Sequence, residues 1–291
     1  MRSGKEYIIG GFISLLVGTF GCTSQEELRK VFSFPSQMKE VSGVTYDAKR
    51  SMLWAIEDSG NRNEVYGIDT LGTVVKTIAV NGVENNDWEA LTMGADGSLY
   101  VGDFGNNGNT RKNLAIYALN PESLYENNAE VAYKVSFYYP EQRTFPPEKT
   151  EKFYDAEAFF LVGDHFYLIT KNRSKGFGGT ARVYKIPNRE GNHAALLLGE
   201  LETCERFSYC AITDAAISPD GTRIVLLSQK FVWIFDHFSE HNFLHLANRK
   251  IELPGMTQRE SITFKDANTV WIADERDKHT GGKVYEFLLT P

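Results

Sequence analysis

The chain has 291 residues, with Lys+Arg 31 against Asp+Glu 38, a formal net charge of −7. That balance argues against a general nucleic-acid or polyanion binder, which carries a basic surplus. Hydrophobic residues at 42% and charged residues at 24% exclude a disordered or collagenous chain, and 13% aromatic with only nine prolines leans towards pleated β structure.

Arg2 and Lys5 precede an apolar stretch, residues 8–20. It falls short of the roughly 20 residues of a spanning helix but suits a signal-peptide core. It ends in Gly21-Cys22, followed by Thr23-Ser24-Gln25-Glu26-Glu27. This resembles a bacterial lipoprotein signal, in which cleavage before the cysteine lets its thiol carry a lipid. Thr19 departs from that pattern, standing where Leu is usual, and a plain secretory signal peptide is the alternative. The resemblance implies a leader over 1–21, an acylated Cys22, a linker over 22–28 and a folded domain over 29–291. It also implies a lipid bilayer as partner and a cell-envelope location at the outer membrane, periplasmic or surface-exposed.

Residues 30–34 read as a short strand. After them one pattern recurs five times. Its first strand opens at Ser42-Gly43-Val44, Glu89-Ala90-Leu91, Glu157-Ala158-Phe159, Asp214-Ala215-Ala216 and Glu260-Ser261-Ile262. Its second is an apolar run closed by a polar residue: 53–57, 99–103, 166–170, 224–228 and 270–274. Such runs suit strands buried on both faces. Its third carries an aromatic in second place, at Tyr66, Tyr117, Tyr184, Trp233 and Tyr285. Asp96-Gly97 and Pro219-Asp220-Gly221 supply tight turns between first and second strands. A fourth strand follows only four times, at 74–80, 132–137, 196–201 and 249–253. The strand at 30–34 is left to complete the last set and close a ring without an open edge. The expected fold is all-β, a five-bladed β-propeller closed by an N-terminal strand. Six blades also fit the length, and a β-sandwich is a further alternative. Five strand sets and no sixth are found, and sandwich strands rarely recur in one fixed order.

Cys204 and Cys210 form an even pair once Cys22 is set aside. They either close a small disulfide loop or stay free thiols in a strand pair.

In an up-and-down blade, the start of the first strand and the end of the second share a rim. Two polar rings then meet there. One is Ser42, Glu89, Glu157, Asp214 and Glu260; the other is Glu57, Asp103, Thr170, Ser228 and Asp274. Crowded carboxylates repel, and burial adds desolvation. A cation would offset both, and Ca²⁺ suits hard oxygen donors, which makes Glu89, Glu157, Asp214 and Glu260 candidate ligands. The other reading is structural, each ring residue tying one blade to the next. The loops after the second strands lie on the same rim, where binding residues commonly sit. They offer Asp58, Asn61, Asp103, Asn106, Asn107, Arg111, Lys171, Asn172, Arg173, Lys230, Asp274 and Arg276.

Asp87-Trp88-Glu89-Ala90-Leu91, the run Asp103-Phe104-Gly105-Asn106-Asn107 and then Arg111 resemble a signature of bacterial secreted propellers, the SdiA-regulated or phytase-like esterase type. Glu40-Val41-Ser42-Gly43-Val44 with Asp58-Ser59-Gly60 is similar to its first-blade form. Ala90 and Asn106 depart from it, at places where acidic residues are common. The resemblance implies an exported propeller with Ca²⁺ in the channel. It leaves three functions open: binding a small or polymeric ligand on one rim, metal-assisted ester or phosphoester hydrolysis, and a structural or protein-interaction role. No residue is assigned to catalysis.

Overall fold

The computed structural model describes residues 28–240, 242–277 and 280–289. The expected leader, Cys22 and the linker up to residue 27 lie outside the described residues.

Five antiparallel sheets form five blades. Blade one is Val41–Asp47, Met52–Glu57, Glu64–Ile68 and Val74–Asn81; blade two is Trp88–Met93, Leu99–Asp103, Ala115–Leu119 and Tyr133–Tyr138. Blade three is Asp155–Val162, His165–Lys171, Thr180–Pro187 and Leu196–Glu202; blade four is Ile212–Ile217, Arg223–Ser228, Phe231–Asp236 and Arg249–Glu252. Blade five takes Arg259–Phe264, Thr269–Asp274 and Lys283–Leu288, and its fourth strand is β1, Arg29–Ser33, from the other end of the chain. Two short parallel strands were not legible in the sequence. Asn128–Glu130 extends blade one, and Gly191–Ala194 extends blade two.

The five first strands pack side by side in a closed ring around the central channel. Five hydrophobic clusters fill the five gaps between neighbouring blades. This explains the unbroken apolar second strands: Leu99–Asp103 is buried at every position, because each face meets a neighbouring sheet. Gly43 marks a close backbone approach between blades, since a Cβ there would sit 2.8 Å from the Ala90 Cα of the next blade.

The channel opens at two mouths. One is a cavity of about 420 Å³ lined by charged residues at the starts of the first strands. The other, about 540 Å³, lies at the turns between first and second strands and is the more apolar, with Met93, Leu161, Val162, Ile217 and Phe264 beside Asp47, Lys49, Arg50 and Lys265.

Ring closure rests on Phe32 of β1. It is buried and makes edge contacts with Phe34 and Trp271. Phe32→Ala should cost about 3–5 kcal/mol, as truncation of a buried aromatic does. Urea unfolding checks this, with the exposed Lys30→Ala as a control that leaves the midpoint in place.

Candidate functional site

Each first strand breaks register once. Pairing passes from Val41↔Glu57 to Gly43↔Ile56, from Trp88↔Asp103 to Ala90↔Gly102 and from Ala156↔Thr170 to Ala158↔Ile169. In blades four and five it passes from Ile212↔Ser228 to Asp214↔Leu227 and from Arg259↔Asp274 to Ser261↔Ala273. The skipped residues are Ser42, Glu89, Glu157, Thr213 and Glu260. A β-bulge leaves its residue outside the ladder and re-aims the side chain. Where that residue is a hydroxyl it donates to the next blade: Ser42 Oγ to Trp88 O at 2.6 Å, and Thr213 Oγ1 to Arg259 O at 2.7 Å. An ionised carboxylate has no proton to give a carbonyl. Glu89, Glu157 and Glu260 line the polar cavity instead.

The expected metal set of Glu89, Glu157, Asp214 and Glu260 therefore needs correction. Asp214 lies one residue past its bulge and belongs to the scaffold. Its Oδ2 accepts from Ser261 Oγ at 2.6 Å and Ile262 N at 2.8 Å, and its Oδ1 accepts from Ala215 N at 2.7 Å. Ser261 Oγ in turn accepts from Val44 N at 2.7 Å, so blades four, five and one are tied in series. Burial pushes the Asp214 carboxyl well up, against these donors.

Glu157 is likewise satisfied within the protein. It accepts from Lys171 Nζ at 3.0 Å and Arg173 Nη2 at 2.7 Å. Arg173 Nε also donates to the buried Asp155 at 2.6 Å. Burial and the neighbouring Glu157 push Asp155 up to about 7, with Arg173 opposing. Burial disfavours the Lys171 charge, but Glu157 and then Glu260 outweigh it and hold the ammonium protonated. Glu260 keeps part of its surface open to the channel, yet the channel walls desolvate it; its carboxyl is raised to about 7 by this enclosure, with Lys171 opposing.

The remaining acid converges elsewhere. One carboxylate oxygen from each of Asp58, Asp87 and Glu89 lies within 4.8 Å of the others. Asp58 sits in the loop after the second strand of blade one, placed by its N–H to Glu40 O at 2.9 Å. Asp87 and Glu89 flank Trp88, which is fully buried between blades one and two. Gly105 permits the convergence, because a Cβ there would collide with Glu89 Oε1 and the Asp87 carboxyl. Burial, then repulsion from Glu157 and Asp58, pushes the Glu89 carboxyl well above its usual range. Burial and Asp58 raise Asp87 to about 6, with Arg111 opposing.

Of the predicted loop residues, Asp58, Asn107, Lys171 and Arg173 reach the cavity. The others do not line it, because their polar atoms hold the loops. Asp103 accepts from Arg111 Nη2, Asn86 Nδ2, Tyr117 Oη and Asp87 N, bracing the turn that carries Asp87. Asn106 bridges blades two and three through Asp155 and Tyr154 O, and takes Thr110 N and Arg111 N on its own oxygen. Asn61 donates to Glu40, Asn172 to Thr180, Lys230 to Leu253 O and Arg276 to Phe34 O, while Asp274 accepts from Lys283 N. Missing from the predicted set are Asp87, Glu40, Glu275, Gln229, Gln258 and Phe207. Phe207 is carried over the cavity by a four-residue helix, Phe207–Cys210, stapled by a Cys204–Cys210 disulfide with Cα–Cα 5.5 Å. Asp87 and Glu40 had a signal, Asp87 beside Trp88-Glu89 and Glu40 before Val41-Ser42 in the recurring first strand.

Two outcomes test this electrostatic layout. Between pH about 4.5 and 7 the folded state keeps a proton on Glu260 that the unfolded chain has released. Stability therefore falls as pH rises through that window, and Glu260→Gln should flatten the fall in Tm between pH 5 and 8. Lys171→Met should cost about 3 kcal/mol, as breaking a buried pair does. Adding Glu157→Gln should recover most of it in a double-mutant cycle.

The profile of the SdiA-regulated family matches residues 30–138, which cover β1 and blades one and two. No curated protein sequence matches the chain. Among solved structures, the PQQ-bound aldose sugar dehydrogenase of Streptomyces coelicolor is 9% identical, with 89% of this chain and 96% of that chain covered and a TM-score of 0.53. A gluconolactonase of Xanthomonas campestris is 14% identical over 86% of this chain and 72% of that chain, with a TM-score of 0.47. At such identities the likeness concerns fold alone. The chain is a five-bladed β-propeller whose first two blades are similar to the SdiA-regulated family.

Proposed function

We propose that this propeller is an exported binding protein that takes a small or polymeric ligand at its acidic mouth through Ca²⁺ held by Asp58, Asp87 and Glu89. The observation that carries this reading is Glu89. The residue is 8% exposed and faces the cavity, and among the described residues no hydrogen bond or ion pair to it is found. An unpaired buried carboxylate is costly unless it is protonated or meets a cation. Three carboxylates supply hard oxygens but fewer than the six to eight donors Ca²⁺ takes, which leaves positions for water or a ligand. The cavity beyond is far larger than an ion and carries the amides of Asn107, Gln229 and Gln258 as further hydrogen-bonding groups.

Export and a lipid anchor at Cys22 belong to the same reading. The Cys204–Cys210 disulfide supports them, since such bonds persist in oxidising compartments. A metal-assisted hydrolase would draw on the same triad and would need cations to clamp an anionic substrate. Lys171 is engaged by Glu157 and Arg173 by both Glu157 and Asp155, so the geometry favours binding over that chemistry.

Thermal unfolding with and without Ca²⁺ tests the proposal. Ca²⁺ should raise Tm above that in chelator. Glu89→Gln should raise Tm in chelator, by removing the crowded charge, and abolish the Ca²⁺ response. A Ca²⁺ response that survives Glu89→Gln excludes the triad as the site. Turnover of an ester or phosphoester panel that depends on Glu89 would instead favour the hydrolase.

A further inference from the structure

The two channel mouths face opposite ways, and the course of β1 decides which of them lies nearer an anchor. Strand β1 runs antiparallel to Lys283–Leu288, with Arg29 opposite Glu286 and Ser33 opposite Lys283. Lys283 pairs with Asp274, at the acidic-mouth end of blade five. Ser33 therefore lies towards the acidic rim. Arg29, where the described chain begins its first strand, lies towards the rim of the apolar mouth.

That rim also gathers exposed apolar side chains. Leu71, Val75, Tyr125, Leu196 and Leu288 are exposed on it, each in a turn after a third strand or at a neighbouring strand end. The opposite rim exposes Tyr138, Phe145, Phe207 and Met256. The apolar rim adds the wide cavity lined by Met93, Leu161, Val162, Ile217 and Phe264.

We infer that the apolar rim is the face this protein turns to a phospholipid surface, leaving the acidic cavity pointing away from it. The inference rests on the reading of Cys22 as the lipid-bearing residue. From Cys22 to Arg29 the chain has seven steps, at most about 24 Å when extended. A blade of six-residue strands is about 20 Å tall. Inverting the body would lift Arg29 by that height and stretch the tether almost to its limit, at a cost in chain entropy. The upright arrangement calls on none of that reach. The turn carboxylates Asp96, Asp164, Asp220 and Asp266 share this rim with Lys49, Arg50 and Lys265, so its charge is mixed and contact with a zwitterionic surface needs no anionic lipid.

Collisional quenching tests the orientation. The full acylated chain, disulfide intact, is labelled with bimane at Leu71→Cys, Leu288→Cys or Met256→Cys, all exposed positions that burial in the core does not constrain. It is bound to phosphatidylcholine vesicles containing a headgroup-nitroxide lipid. Quenching should be severalfold greater at 71 and 288 than at 256. Equal or inverted quenching overturns the orientation while leaving the anchor in place. A Cys22→Ser chain should stay off the vesicles. If it binds as the wild type does, or if the wild type does not bind, the anchor reading fails and the orientation falls with it.

Discussion

One β-bulge per blade governs the chemistry of this channel. The inner strands crowd around an axis, so a regular ladder would send alternate residues into the neighbouring sheets. The bulge releases a single residue from that alternation at the same height in every blade. The fate of that residue depends on whether it can donate a hydrogen bond. Ser42 and Thr213 donate, and they fasten their blades to the next. Glu89, Glu157 and Glu260 cannot, and three carboxylates are forced towards one small volume.

The protein resolves these three charges differently. Glu157 is neutralised by Lys171 and Arg173, both from blade three, and the cluster extends to Asp155 beneath. Glu260 shares the field of Lys171 without a direct hydrogen bond among the described residues, and its proton affinity rises. Glu89 gains further acid from Asp58 and Asp87. The cavity is thus divided into a self-compensated wall at blade three and, where blades one and two meet, an undercompensated one, whose three carboxylates have one paired cation, Arg111, 4.0 Å from Asp87 and shared with Asp103 at 2.7 Å. Repulsion of this strength is tolerated in a folded protein when a proton or a cation relieves it. Arg173 feels the charge of Glu89 but makes its ion pairs with Asp155 and Glu157, and this directs the functional reading to Asp58, Asp87 and Glu89.

The architecture was legible because interblade burial writes itself into the sequence. Second strands enclosed on both faces become unbroken apolar runs, and the recurring third-strand aromatics mark the period. The lone strand before blade one could be placed because four outer strands followed five third strands. The site was less legible for a reason of register. Counting back from the apolar run assigns Asp214 to the polar ring, whereas the bulge hands that place to Thr213, one residue earlier. Nothing in the local composition of Ile212-Thr213-Asp214 distinguishes the two. The loop residues posed a related difficulty. Asn and Asp serve loops by binding backbone groups as readily as they serve ligands. Asn106, with both ends of its amide engaged, and Asp103, with four donors, went to the first use. Asp58 and Asn107, beside them in type, border the cavity. The disulfide-stapled Phe207 had no counterpart in other blades, so a repeat pattern could not reveal it.

The central claim is that the undercompensated acid at the junction of blades one and two is a cation site. Anomalous scattering from crystals grown with Ca²⁺, or with a lanthanide in its place, measures this directly. One strong peak is expected, at about 2.3–2.6 Å from carboxylate oxygens of Asp58, Asp87 and Glu89. A peak centred on Glu157 and Glu260 instead, or no ordered ion at the channel mouth at saturating concentration, would contradict it.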